Sequence, residues 1–470
     1  MILKGVPMTA TTSPAQTIDP ATRRVAWAVI IGLIAPILDT TITTIALETL
    51  GRDLDVPVST IQWVSTGYLL ALAVAVPLAG WAATRFGSRV AWIAGLLIFL
   101  LGSVLCAVAW DAPSLIAFRV LQGLGAGLIM PLMMSILVSA SRGVALGQVI
   151  ALVSMPTALG PILGPVLGGV ILNWLNWRWL FLINVPIVAV ALYLARRIPD
   201  DDRTRGADDH HAHLDVVGLL LLAPGLALIL LGLSNAHAGF VSRSVMIPLV
   251  VGVIALGVFV VRSLVSVRQG IVDIRILAHR AVAASSAGLF AFGIASFGAM
   301  FLLPLFFQQV FGDSVLRAAL YLIPQGVGAF VTRGLAGKLT DRFGGRWVAA
   351  CGFVIVAAAT VPFAFADAGT SVVWLMIALL LRGLGLGLLL SPIMAAGFIG
   401  VPDSARQDTS MLTRITQQLG GSFGTAILAV VVMSAASAAA GFSAAFWWSV
   451  VFALVGAVLA LTLPSRPALT

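Results

Sequence analysis

The chain has 470 residues, of which 60% are hydrophobic and 10% charged, with a formal net charge of +9. So few charges do not cover the surface of a soluble protein of this length, which excludes a water-soluble globular class. The positive balance does not mark a nucleic-acid binder either, because the basic residues are scattered through short polar breaks.

From Met1 to about Arg24 the chain is polar and proline-bearing, with no apolar core, and does not read as a cleavable leader. Met8 is an alternative start. Apolar runs follow near 26–48, 61–82, 90–110, 114–137, 147–172 and 178–195. Each has about the 20 residues that cross roughly 30 Å of hydrocarbon as helix. After a hydrophilic stretch to His213 come two more runs, near 214–234 and 245–262, then a basic connector to Arg280. Six further runs lie near 282–307, 315–336, 347–366, 371–395, 411–435 and 444–463. The expectation is an all-α membrane protein with fourteen spans, since lipid offers no partner to unpaired backbone groups.

The charges orient this layout. With the N-terminus inside, the inner segments collect most of the arginines, and only Arg52, Arg178, Arg243 and Arg317 fall outside. That bias places both termini in the cytoplasm, with an even number of spans. Arg119 and Arg382 fall within spans. A repeat divides the chain: Gly80-Trp-Ala-Ala-Thr-Arg-Phe-Gly-Ser-Arg89 matches Gly337-Lys-Leu-Thr-Asp-Arg-Phe-Gly-Gly-Arg346. Each copy follows the second helix of a six-helix block. The predicted order is a tail (1–25), a six-helix block (26–195), a linker (196–213), an extra helix pair (214–262), a basic connector (263–281), a second six-helix block (282–463) and a tail (464–470). Parallel halves across a central cavity suit alternating access, one half rocking against the other.

Asp39 is the one carboxylate well inside a predicted span, and an ionisable group there is costly enough to indicate function. Burial favours the protonated form of a carboxylate and a nearby cation the ionised form, so proton affinity can change with access state. Thr43, four residues on, shares its helix face and is a candidate to bond substrate or the carboxylate. Arg119 is a permanent charge in the fourth span, with Gln122 and Gly123 near its face; snorkelling to the outer interface is the alternative. Gly160, Gly164 and Gly168 form a smooth stripe on the fifth helix, while Pro161 and Pro165 remove two backbone donors and favour a bend. Gly80, Arg85, Gly87 and Arg89 in one loop, and Gly337, Asp341, Arg342, Gly344 and Arg346 in the other, are candidates to latch the cytoplasmic side. Glu48, the only glutamate in the chain, reads as a solvated residue at the outer mouth.

Four stretches, in order and on the expected helices, resemble the major facilitator superfamily, and within it the fourteen-helix drug:proton antiporters. They are Leu38-Asp-Thr-Thr-Ile-Thr-Thr-Ile-Ala-Leu47, the Gly80–Arg89 loop, Arg119-Val-Leu-Gln-Gly-Leu-Gly-Ala-Gly127 and Gly160-Pro-Ile-Leu-Gly-Pro-Val-Leu-Gly-Gly169. Trp177-Arg-Trp-Leu-Phe-Leu-Ile-Asn-Val-Pro186 adds to the likeness, which covers nearly the whole chain. The resemblance implies that Arg119 assists proton transfer near Asp39, and that the fifth-helix motif, Gly169 included, seals the exporter against leak. Trp63, Tyr68, Gln122, Gln325, Gln417 and Gln418 sit in places that resemble substrate-facing positions, where aromatic faces and amides suit flat lipophilic cations. The tenth helix of the pattern has Gln325 and no carboxylate, which leans toward monovalent cations. The chain departs from the pattern at Thr84, where an aspartate is usual, and at Thr44 and Glu48 in place of asparagine and proline.

Other signals are bland. Asp208-Asp-His-His-Ala-His213 lies in a hydrophilic connector and reads as a solvated linker, and Asp200-Asp-Asp202 as a charged loop. Cys106 and Cys351 sit in apolar runs as small hydrophobes. No phosphate-binding Gly-x-x-x-x-Gly-Lys-Ser/Thr loop is present, so energy is expected from an ion gradient. Nor does a nucleophile–base constellation suggest an enzyme. The expectation is a monomeric, proton-coupled exporter of amphipathic or cationic drugs in a bacterial inner membrane, using no cofactor or metal and binding no nucleic acid. A carrier of one dedicated metabolite, or an importer, is the alternative.

Overall fold

The computed structural model describes residues 19–141, 160–198, 215–235, 242–265, 274–402 and 405–464. In chain order the helices are α1 (Pro20–Ile45), α2 (Leu47–Asp53), α3 (Val58–Ile61), α4 (Trp63–Phe86), α5 (Ser88–Ala107) and α6 (Ala112–Ser141). Next come α7 (Gly160–Trp174), α8 (Trp179–Leu182), α9 (Asn184–Ala195), α10 (Val216–Ser234), α11 (Arg243–Val265) and, after a 3-10 turn at Ile274–Ala278, α12 (Arg280–Gln309). The chain continues through α13 (Val315–Tyr321), α14 (Ile323–Phe343), α15 (Gly345–Ala364), α16 (Val372–Gly387), α17 (Leu390–Gly397), α18 (Arg406–Met433) and α19 (Ala438–Ala460).

Local chemistry explains several boundaries. Ahead of α6, the Asp111 carboxylate accepts from the Ser114 N–H at 2.9 Å while Ser114 Oγ accepts from the Asp111 N–H at 3.2 Å, a reciprocal cap. The Ser114 hydrogen bonds hold the Asp111 carboxyl below its ordinary value. Asp215 caps α10 through the Gly218 N–H and also takes both of its oxygens to Arg262 of α11, clamping the two helices at one end. In the two repeat loops Gly87 and Gly344 adopt φ of 87° and 83°, which only glycine reaches without strain, so each chain turns directly into its next helix.

Among the described residues twelve helices are long and apolar enough to span a membrane, and the chain is a multi-pass membrane protein. The expected count of fourteen is not supported by these residues. The predicted sixth span is a pair of short helices broken by a turn at Ile183, and Trp179–Ala195 falls short of the spanning length. Of the predicted fifth span, 147–159 lies outside the described residues.

The first six spans' helices pack among themselves: α1 on α6, α7 and α9, and α6 on α4 and α5. A second group forms around α12, which lies against α18 and α19, while α15 packs on α16 and α19, and α14 on α16. The two groups meet where α4 lies along α18, α7 along α13, and α1 along α12. The α10–α11 pair sits beside them, with α10 against both α4 and α18; Leu70, Leu222, Leu226, Leu230, Phe259 and Ala426 form the buried cluster there.

The glycine stripe of α7 lies flat on α1. A Cβ on Gly160 would meet Ile37, one on Gly164 would collide with Thr41 Oγ1, and one on Gly168 would come within 2.6 Å of Ile45. Thr41 Oγ1 donates to the Gly160 carbonyl at 3.2 Å, a bond only this close approach permits. Gly169, on the next face, meets Ala319 and the backbone of Val315 and Leu316 in α13. Pro165 is buried within α7, and the Pro161 side chain lies outside what is described. The substitution Gly164→Val is therefore expected to cost about 1–3 kcal/mol by overpacking. It should appear as a lowered melting midpoint of the detergent-solubilised protein, while Gly257→Ala, at a site with open space around it, leaves the midpoint unchanged.

Candidate functional site

Asp39 and Arg119, read as separate candidates, form one ion pair in which each side chain is only 1% exposed. Arg119 Nη1 donates to Asp39 Oδ2 and, at 2.7 Å, to Gln122 Oε1; its Nε donates to the Val64 carbonyl at 3.0 Å. Asp39 Oδ1 accepts from Gln122 Nε2 at 2.9 Å and from Asn184 Nδ2 at 3.0 Å. Ser103 Oγ accepts from both amides, at 2.6 and 2.9 Å. The guanidinium lies 4.1 Å over the Tyr68 ring, so its face as well as its edge is covered. Arg119 does not snorkel.

Five helices thus meet in one hydrogen-bonded network around the ion pair. Two charges this far from water are tolerated only because hydrogen bonds occupy their remaining donors and lone pairs. The spare capacity is small: Asn184 Oδ1 is buried without a hydrogen-bond partner among the described residues. Cys106 Sγ lies 3.7 Å from Gln122 Oε1, at the edge of the cluster.

Beside the pair is a cavity of about 10 Å³, room for roughly one water. Thr40, Thr44, Ser65, Tyr68 and Arg119 line it from one group of helices, Phe297 and Thr425 from the other. The groups are tied across it by Thr66 and Thr425, whose hydroxyls lie 2.8 Å apart. Nearer the Glu48 end, Gln308 Nε2 donates to the Ile45 carbonyl at 3.3 Å and Gln309 Nε2 to the Glu48 carboxylate. Glu48 is half-buried and bonded across the interface, not the solvated rim residue expected. A large apolar cluster, with Ile42, Ile45, Phe301, Phe306 and Phe307 in it, fills this end.

The other sequence candidates are dispersed. Tyr68 and Gln122 belong to the centre. Thr43 donates to the backbone carbonyl of Asp39 at 2.7 Å, not to its carboxylate, because a threonine hydroxyl four residues on reaches the helix's own carbonyl first. Trp63 packs beside the α10–α11 cluster, away from the cavity. Gln418 is buried with Oε1 unpartnered, Gln417 half-buried, and neither lines the cavity. At the loop end, Thr84 Oγ1 bonds the Gly80 carbonyl of its own helix, Arg85 is exposed, Arg342 stacks 5.1 Å over Phe343, and Arg346 Nε holds the Leu463 carbonyl at 3.0 Å. Asp341 is exposed and Arg89 half-buried there, while Gly337 faces open space. The Asp208–His213 and Asp200–Asp202 stretches lie outside the described residues.

A second buried arginine, which the sequence placed within a span without giving it a role, is also held by hydrogen bonds. Arg382 is 2% exposed and donates to Gln325 Oε1 at 2.9 Å, the Ala295 carbonyl at 2.6 Å and Thr360 Oγ1 at 3.2 Å. Ser103, Asn184 and Thr360 were missed; a lone small polar residue in an apolar run gives no signal until its neighbour is known.

A family model described as the Major Facilitator Superfamily matches residues 29–425. The chain is 35% identical over 432 residues to a Multidrug resistance protein B homolog of Mycobacterium tuberculosis, covering 91% of this chain and 79% of that one. It is 28% identical to the Lincomycin resistance protein LmrB of Bacillus subtilis, covering 83% and 81%. Among solved structures, the inward-open xylose transporter XylE of E. coli superposes with a TM-score of 0.67 at 14% identity, over 96% of this chain and 98% of that one; at this identity the likeness is one of fold.

The geometry makes the pair a measurable unit. Arg119→Gln alone strands Asp39 and is expected to destabilise by about 3–5 kcal/mol. Combined with Asp39→Asn it should recover at least half of that loss. Thermal melts of the three variants in one detergent give the coupling energy directly.

Proposed function

Because the chain belongs to the Major Facilitator Superfamily, we propose that it is a proton-coupled exporter of amphipathic, drug-sized molecules working by alternating access in a bacterial cell membrane. The names of its relatives, multidrug and lincomycin resistance proteins, support the cargo class. The observation that carries the coupling is the buried Asp39–Arg119 pair beside a cavity to which both helix groups contribute.

In this reading residues 26–195 and 282–463 are two six-helix halves, with α7 and the α8–α9 unit completing the first, and the pair at 214–262 is inserted between them. Both termini face the cytoplasm. The Glu48 end is then the outer mouth, and the bonds from Gln308 and Gln309 hold it shut. The α7 motif acts at the same end, joined to α1 by its glycine stripe and to α13 through Gly169.

A proton reaching Asp39 from outside neutralises the carboxylate and leaves the Arg119 charge uncompensated. Arg119 keeps Gln122 Oε1 and the Val64 carbonyl as neutral acceptors, both from its own group of helices. The loss of an ionic partner favours a rearrangement of α1 against α6, with the halves re-forming around a different opening. Release of that proton to the cytoplasm restores the pair and completes one exchange. Gln122 and Asn184 hold the carboxylate oriented throughout. The alternative, a carrier of one dedicated metabolite, uses the same centre and differs only in the width of its cargo.

Everted membrane vesicles energised by respiration, with a pH-sensitive dye, test this. Lipophilic compounds of either charge, ethidium among them, are expected to trigger proton release with the wild type and none with Asp39→Asn. Equal responses from both proteins would remove Asp39 from the coupling. No response to any compound from correctly folded protein would remove the broad-cargo export.

A further inference from the structure

The two buried arginines do not occupy equivalent places, and the difference bears on what the chain carries. Thr360 lies as far beyond Gly344 as Ser103 lies beyond Gly87, and Gln325 precedes Gly344 as Tyr68 precedes Gly87. Gln122-Gly-Leu-Gly in α6 corresponds to Arg382-Gly-Leu-Gly in α16, and Ala295 stands beyond Gly288-Leu289 where Asp39 stands beyond Gly32-Leu33. Contacts follow the same plan. Gln122 donates to Ser103 Oγ and Asp39, while Arg382 donates to Thr360 Oγ1 and the Ala295 carbonyl. The second half therefore repeats the polar centre of the first with its carboxylate replaced by alanine and its glutamine by a guanidinium.

This changes the charge between the halves. Asp39 is already neutralised by Arg119, so it offers no free anion to a cationic cargo. Arg382 has three neutral acceptors and no carboxylate partner among the described residues. A lipophilic cation beside this uncompensated guanidinium meets repulsion in a medium that screens poorly. An oxyanion meets a donor fork that matches it in geometry and charge. Gln325 is half-buried, unlike Arg382, so the acceptor at Nη1 is the one a ligand oxygen can displace.

We propose that Arg382, with Thr360 and Gln325, forms an anion site in the second half that receives the carboxylate, sulfonate or phenolate group of an amphipathic cargo. The site rests on the export reading for its purpose but not for its detection. Binding is measured on the full-length protein in lipid nanodiscs with two probes of one ring system, a naphthalenesulfonate and a naphthyltrimethylammonium. Wild type should bind the sulfonate at least tenfold more tightly than the ammonium. Arg382→Gln should lose about tenfold in sulfonate binding, and Arg382→Lys, which keeps the charge without the fork, should recover only part of it. Gln325→Glu, which sets a carboxylate on the guanidinium while keeping an acceptor in place, should weaken the sulfonate and strengthen the ammonium.

Tighter binding of the ammonium by wild type, or sulfonate binding unchanged in both Arg382→Gln and Gln325→Glu, would overturn the proposal. Should Arg382→Gln fail to fold, the Gln325→Glu comparison decides. Sulfonate binding lost in these variants, from a protein that never releases protons in vesicles, upholds the site and defeats the antiport. Proton release driven by cations and indifferent to Arg382 upholds the antiport and defeats the site.

Discussion

The structure depends on two opposite charges held together out of water. Asp39 and Arg119 draw Val64 of α4, Ser103 of α5, Gln122 of α6 and Asn184 of α9 to α1, so the first half is organised around a polar point inside an apolar bundle. Desolvating such a pair costs about as much as its attraction returns, and a well-packed apolar replacement of equal volume is often no less stable. Stability alone is a poor reason to build it. What the pair supplies is a packing arrangement that depends on the charge state of one carboxylate, which the proposed coupling would use.

Much of this was legible in the sequence because membrane helices advertise themselves by length and composition. Twelve of the expected spans are helices of spanning length, and an aspartate inside an apolar run stands out against its surroundings. What was not legible is which faces meet. Thr43 shares a helix face with Asp39 yet spends its hydroxyl on the backbone, while Asn184, distant in sequence, reaches the carboxylate. Arg382 was placed within a span but given no role, since its partners are a carbonyl, a hydroxyl and an amide, none of which marks a run of sequence as unusual. The break in the sixth apolar run was not legible for a related reason: hydropathy does not register the turn at Ile183 that divides it into two short helices.

Close approach does for the α7 interface what hydrogen bonding does for the ion pair. With no side chain on Gly160, Gly164 and Gly168, α7 presents a trough that the side chains Ile37, Thr41 and Ile45 enter. The same short helix continues to Gly169 and so touches α13 of the second group. One short helix thus bridges α1 and the seam between the groups by close contact on two faces.

The α10–α11 pair meets that seam differently. On α10, Leu222, Leu226 and Leu230 recur every fourth residue along the cluster shared with Leu70 of α4 and Ala426 of α18. Such a ridge holds by dispersion contacts alone, with no polar group in the cluster. The Asp215–Arg262 clamp ties α10 and α11 together at one end. The pair is thus a brace laid along the α4–α18 seam, and the oily flank where the two groups meet is covered by the chain's own helices.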